Sequence, residues 1–194
     1  MYHHLQGRLV EKNPTYAVIE CGGVGYLVNI SLNTFSRLPQ DESVRLFTHL
    51  IVREDDLILF GFADPREREV FKLLLSVSGV GANTARLILS SLTPEEVEAA
   101  IVTENISLLQ SVKGIGAKSA QRIILDLKDK ISKTHALPSG VPSESVVSAR
   151  HEAASALEVL GFSKPAIEKV LSKLLSQDPS AGVEELIKNA LKNL

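Results

Sequence analysis

One stretch of this chain occurs twice. Val77 to Leu89 reads VSGVGANTARLIL, and 35 residues later Val112 to Ile124 reads VKGIGAKSAQRII. Both copies keep the valine, two glycines around one apolar residue, the alanine after them, a hydroxyl residue (Thr84, Ser119) and a further alanine (Ala85, Ala120). Each lies between apolar runs of helical period. Few backbones suit this pattern. A helix ends, Gly79 and Gly81 flank Val80 (Gly114 and Gly116 flank Ile115), and a second helix begins at once. Glycine allows φ > 0 and close approach of another backbone, both expected here, at Gly81 and Gly116 in particular. The apolar residue between should plug the turn into the core. The N–H groups that open the second helix then face outward, where the helix dipole favours an anion.

Other readings of GxG compete. A dinucleotide fingerprint wants GxGxxG after a strand, but Thr84 and Ser119 fill the third position and the flanks are helical. Gly116-Ala117-Lys118-Ser119 lacks the contiguous Gly-Lys-Ser of a phosphate loop. A plain tight turn between helices would explain one copy, whereas two copies with matched polar residues point to a shared ligand. The pattern is that of the helix-hairpin-helix motif, a sequence-independent grip on the DNA backbone. Candidate contacts are Gly79, Val80, Gly81, Asn83 and Thr84 in the first copy, and Gly114, Ile115, Gly116, Lys118, Ser119 and Arg122 in the second. Related by a pseudo-dyad, two hairpins could hold both strands across a minor groove. Lys113, Lys118, Arg122, Lys128 and Lys130 cluster near the second copy, and Arg86 alone stands close to the first.

The rest of the chain gives an α+β, multidomain expectation. Residues 1–64 read as short strands: Leu5, Leu9, Ala17 to Ile19 and Leu27 to Ile30, broken at Asn13-Pro14 and Gly22-Gly23-Val24-Gly25, then Phe47–Val52 and Leu57–Phe62. Five or so strands in this length suit a small closed barrel of the OB type. Residues 65–133 turn helical: Val70, Phe71, Leu74 and Leu75 share a face, and Thr93-Pro94-Glu95-Glu96 is a capping box with proline at the first helical position. Residues 134–148, rich in Pro, Gly and Ser, read as a flexible linker. Residues 149–194 read as three short helices, the first ending at Gly161 and the next two capped by Ser163 and Ser180.

Net charge is −2, with nine basic and nine acidic side chains in 64–131, so any grip on DNA must be local and partly made by backbone amides. One cysteine, Cys21, excludes an internal disulfide and a multi-cysteine zinc site. No secretory leader is expected from a start that soon reaches Arg8 and Glu11, and no apolar run approaches the ~20 residues of a membrane span, which makes the cytoplasm the expected location. The histidines are scattered, no nucleophile–base arrangement can be proposed, and no enzyme, cofactor or metal site is expected. Glu54-Asp55-Asp56, at the tip of a hairpin, has three readings: a solvated turn, a group that repels phosphates, or the metal site of a repair nuclease that uses the hairpins to hold DNA. If these residues followed strand alternation, Glu54 and Asp56 would face away from Asp55.

With GRLVEK near the start, ECGGVGY at Glu20–Tyr26, FTHLIVRED at Phe47–Asp55, and GVG paired with GIGAKSAQR, the whole chain resembles the RuvA family, the junction-recognition subunits of the bacterial RuvAB branch-migration machine. The resemblance implies an OB-fold barrel, a double helix-hairpin-helix domain and a small mobile UBA-like third domain of three helices. It implies a non-catalytic homotetramer, sometimes stacked as an octamer, that holds a four-way (Holliday) junction open and flat. It places an acidic pin on Glu54 and Asp55. It also implies partnership with the hexameric ATPase RuvB through residues from about 150 onward, with Leu157, Leu160, Ile167, Leu171 and Leu174 as core or contact positions, and with the RuvC resolvase in a larger complex. Some members carry lysine just after the hairpin glycines, where this chain has Asn83 and Ala117, so phosphate contacts there fall to the backbone, Lys118 and the hydroxyls.

Overall fold

A computed structural model describes residues 2–39, 43–135, 144–178 and 181–194. The chain divides into two compact units, Met1–Ala136 and Leu137–Leu194.

The first unit opens with strands β1 (His4–Asn13), β2 (Tyr16–Cys21) and β3 (Val24–Ile30), then helix α1 (Leu32–Arg37) and strands β4 (Ser43–Val52) and β5 (Leu57–Phe62). They form a closed barrel in the order β1-β2-β3-β5-β4, as an OB-type reading expects. Alternation fills it: Ala17 and Ile19, Val28 and Ile30, Val44 and Leu46 point inward and are buried. The β2–β3 turn is tighter than expected. Only Gly22 and Gly23 leave the ladder, with φ of +58° and +86°, and Val24-Gly25 already belong to β3. The barrel closes through a short parallel contact, Asn29 opposite Phe60 and Ile30 opposite Gly61. A Cβ on Gly61 would meet Val28 Cγ1 at 2.4 Å, so closure needs glycine there. Helix α1 lacked a sequence signal. It is one and a half turns long, with no hydrophobic period, and is capped by Ser31 Oγ accepting from the Thr34 amide at 3.0 Å.

Helices α2 (Pro65–Leu75), α3 (Ala82–Ser91), α4 (Pro94–Val102), α5 (Ile106–Gln110) and α6 (Ala117–His135) complete the unit. The capping box at Thr93 and Glu96 forms as expected. The change of period at 64/65 is not a gap in packing. Phe60 and Phe62 on β5 turn away from the barrel interior and pack on Phe71 of α2, with ring centroids 5.0 and 4.9 Å away, inside the helical core. A polar joint lies beside them. Glu67 of α2 is buried and accepts from the hydroxyls of Ser31 and of Thr34, the latter at 2.8 Å; burial pushes its carboxyl above the usual carboxylate range, opposed by those two bonds and by Arg37. The barrel keeps its own core, but β5 lends Phe60 and Phe62 to the helical one, beside a buried polar contact between α1 and α2.

The second unit contains α7 (Glu144–Val159), α8 (Lys164–Gln177) and α9 (Val183–Ala190) around Ala153, Leu157, Ile167, Leu171, Leu186 and Ala190. Leu174 is half-buried and Leu160 exposed. Gly161 follows α7 with φ +96°, as a C′ glycine should. Ser163 is the N-cap of α8, although its side chain makes no capping bond. Helix α9 starts from Gly182, where Ser180 was the expected cap; Ser180 itself is outside the described residues. The span 134–148, read as linker, contains helical residues at both ends. Helix α6 runs to His135, and α7 begins at Glu144, because no glycine or proline follows Pro142 to stop it and an acidic residue suits a first turn. Residues 136–143 lie outside the described residues. No helix among the described residues is long and apolar enough to cross a membrane.

Candidate nucleic-acid interface

The two copies agree bond for bond at an offset of 35 residues. Ser76 Oγ donates to Leu73 O and Ser111 Oγ to Leu108 O, each at 2.7 Å, ending α2 and α5 alike. The Val80 amide then donates to Val77 O at 3.1 Å, and the Ile115 amide to Val112 O at 3.0 Å, closing a β-turn in each copy. Its third residue is Gly79 (φ +89°) or Gly114 (φ +91°), where a type II turn requires positive φ. Val80 and Ile115 are 7% and 6% exposed, the expected plugs. Ser76 and Ser111 were not singled out in the sequence, although extending the repeat by one residue upstream finds them.

The second glycines act differently from the expectation. Gly81 has φ −86°, and Gly116 is not among the glycines with positive φ. Left-handed backbone belongs to the first glycine of each pair, because the chain reverses before the plug. Gly81 and Gly116 instead start the next helix, their carbonyls accepting from Ala85 at 2.9 Å and Ala120 at 3.0 Å. A Cβ at either would meet nothing within 4 Å. The fold therefore leaves open space at these two positions.

Capping gives that space a meaning. Helices α1, α2, α4 and α5 each begin with a side chain accepting from a first-turn amide: Ser31, Asp64, Thr93 and Asn105. Helix α3 begins at Gly81 with no side-chain cap, and Gly116 can supply none to α6. Opening amides of a helix need an acceptor, and here only solvent or a ligand can be one. An oxyanion is the fitting ligand for amides at the positive end of a helix dipole. Asn83, Lys118, Ser119 and Arg122 are exposed around these ends and Thr84 is half-buried.

The surrounding cations differ between copies. Lys113 and Lys118 are exposed. Arg122 lies 4.0 Å from Asp126, Lys128 pairs with Glu104, and Lys130 donates to Ser76 Oγ at 2.9 Å. Arg86, the cation of the first copy, turns to the barrel: its guanidinium donates to Thr15 O at 3.0 Å and Asn29 Oδ1 at 3.2 Å.

The acidic residues belong to the β4–β5 turn, closed by the Arg53 amide donating to Asp56 O at 2.8 Å. Glu54, Asp55 and Asp56 are exposed and outside both strands, so strand alternation does not govern where they point. The rung Ile51–Ile58, one step before the tip, packs against the hairpin core, which ties the turn to the hairpins. Among the described residues no group of three or more His, Cys, Asp or Glu is arranged to hold a metal ion.

Comparison with known proteins follows the same divisions. Residues 1–61 match the RuvA N-terminal domain, 71–129 the SAM-like helix-hairpin-helix tandem, and 148–194 the RuvA C-terminal domain. Among curated proteins, the Holliday junction branch migration complex subunits RuvA of Christiangramia forsetii and Flavobacterium psychrophilum are 56% and 53% identical over 194 residues. That of Bacteroides thetaiotaomicron is 47% identical over 201. Each alignment covers 100% of both chains. With barrel, tandem hairpins and terminal helices all matched in order and along the full length, the chain belongs to the RuvA family.

Proposed function

We propose that this chain is a non-catalytic DNA-binding subunit that recognises four-way junctions by their backbone, holds them open and planar, and directs the RuvB ATPase in branch migration. The observation that carries the reading is the first unit's pair of uncapped helix starts, Gly81 and Gly116, each held behind an apolar plug in one compact unit with the acidic turn. The amides there offer donors to phosphate oxygens, and nothing in the arrangement reaches for base edges. Gly79, Val80, Gly114 and Ile115 shape the turns; Asn83, Thr84, Lys118, Ser119 and Arg122 surround the phosphate.

The working form is a homotetramer or octamer in the cytoplasm, in which Glu54 and Asp55 from each copy form a repulsive pin near the crossover. The relatives are named as subunits of a branch migration complex, which supports work within a larger assembly; in it the second unit engages RuvB, and RuvC joins. No cofactor is needed for this role. Titration of the protein with four-way junctions of unrelated sequence and with linear duplex tests the reading. Junctions should bind alike and at least tenfold more tightly than duplex, within the selectivity open to backbone-reading proteins. Preference for one base sequence, or magnesium-dependent cleavage of the junction, would contradict it.

A further inference from the structure

Helices α3 and α6 begin alike but are held differently. Helix α3 is fastened to the barrel along its length. Arg86 donates to Thr15 O in the β1–β2 turn and to Asn29 Oδ1 on β3. The Leu32 amide at the start of α1 donates to Ser90 Oγ at 3.1 Å. Asn33 Nδ2 then donates to Leu89 O at 2.6 Å and Leu92 O at 2.9 Å, satisfying carbonyls at the C-terminal end of α3. Helix α6 packs instead on α2, α4 and α5. A helix held at its middle by an arginine and at its end by an asparagine cannot roll or slide without breaking several bonds together.

Both acceptors of Arg86 are neutral, and it forms no ion pair among the described residues. A guanidinium engaged by a carbonyl and an amide oxygen is oriented by geometry more than by charge. We propose that Arg86 is a positioning residue for DNA recognition. With Asn33 it fixes the direction of α3 relative to the barrel, and so the distance between the first hairpin's opening amides and the acidic turn. Arg86 itself leaves the phosphate to the backbone. This rests on the DNA-binding reading above.

Salt dependence separates positioning from direct contact, since each cation that neutralises a phosphate adds about 0.9 to the slope of log affinity against log salt. Full-length wild type, Arg86→Ala, Asn29→Ala and Lys118→Gln would be titrated with a four-way junction and with duplex at several salt concentrations, with melting temperatures alongside. Arg86→Ala and Asn29→Ala should each weaken junction binding by about three- to tenfold, the size of one or two lost hydrogen bonds, with the slope unchanged and duplex affected less. Lys118→Gln should lower the slope by about 0.9. Asn29→Ala keeps the arginine's charge and its bond to Thr15 O but removes one of its two tethers, along with the bond from Asn29 Nδ2 to Leu59 O that the melting temperature monitors, so a direct phosphate contact would leave affinity equal or higher in that variant. That result, or a drop of about 0.9 in slope for Arg86→Ala, overturns the proposal. So does unchanged affinity in both variants, which would leave these bonds a role in stability alone. Failure of the DNA-binding reading would be distinct: wild type itself would show no preference for junctions.

Discussion

In the first hairpin Ser76, Gly79, Val80 and Gly81 take the places that Ser111, Gly114, Ile115 and Gly116 take in the second, down to the hydrogen bonds. Their surroundings differ. Lys113, Lys118 and Arg122 stand exposed around the second, while at the first Arg86 is bonded to the barrel and Lys130 to Ser76 Oγ. What the copies share is backbone: a turn, a plug and an uncapped helix start. What they do not share is charge. On the proposed reading the common part is the binding device, and side-chain cations adjust its strength where no neighbour has claimed them.

Among tests of this contrast, removing charge from the second hairpin should have the largest effect. Lys113→Gln, Lys118→Gln and Arg122→Gln together should cut DNA affinity at low salt by more than tenfold and lower the salt slope by up to about 2.7, or about 0.9 for each phosphate released. Arg122 should contribute least, since Asp126 is 4.0 Å away. An unchanged slope would mean that the second hairpin also works by backbone alone, and the contrast between copies would disappear.

The acidic turn bears on both hairpins, because the Ile51–Ile58 rung joins it to their common core. Neutralising it as Glu54→Gln with Asp55→Asn should tighten duplex binding by roughly three- to tenfold at low salt, and the gain should shrink as salt screens the repulsion it removed. Duplex affinities equal to wild type would remove the pin from the account. Loss of a magnesium-dependent activity would restore the metal-site reading.

The smallest effect concerns the joint that holds α2, the leading helix of the first hairpin, to α1. The folded protein raises the Glu67 carboxyl above its unfolded value, mainly by burial. The folded state then binds the proton more tightly, so this contribution to stability is fully present below the ordinary carboxylate pKa and is lost as pH rises through the raised one. Glu67→Gln stays neutral throughout. Its melting temperature should equal or exceed that of wild type near about pH 8, the difference closing toward about pH 4, with junction binding unchanged. A variant destabilised equally at every pH would show that the ionised carboxylate and its two hydroxyl donors outweigh burial.

The repeat made the hairpins legible because glycine, an apolar plug and glycine satisfy few backbones, and the alternation in 17–19 and 28–30 made the barrel legible for the same reason. The positive φ fell on the other glycine because both residues permit it and only the turn closing Val77 to Val80 decides which uses it. Helix α1 is too short for a period and exists through its contacts with Glu67, Leu89 and Leu92, all far away in sequence. Arg86 read only as the basic residue beside the first hairpin, because sequence spacing cannot tell that Thr15 and Asn29 lie within reach of it. The acidic turn carried no decision among its readings until the resemblance supplied one.

The central claim is that DNA phosphates approach the helix starts at Gly81 and Gly116. A Cβ added at either position meets nothing within 4 Å in the protein, and Gly81 has an ordinary backbone conformation, so Gly81→Val with Gly116→Val tests ligand approach with little strain on the fold. Each change should cost about 1 kcal/mol or less of helix-start stability, leaving the melting transition cooperative. Junction and duplex affinity measured by titration should fall at least a hundredfold, as the new side chains hold phosphates away from the amides. A folded double variant that binds both DNAs as wild type does would contradict the account.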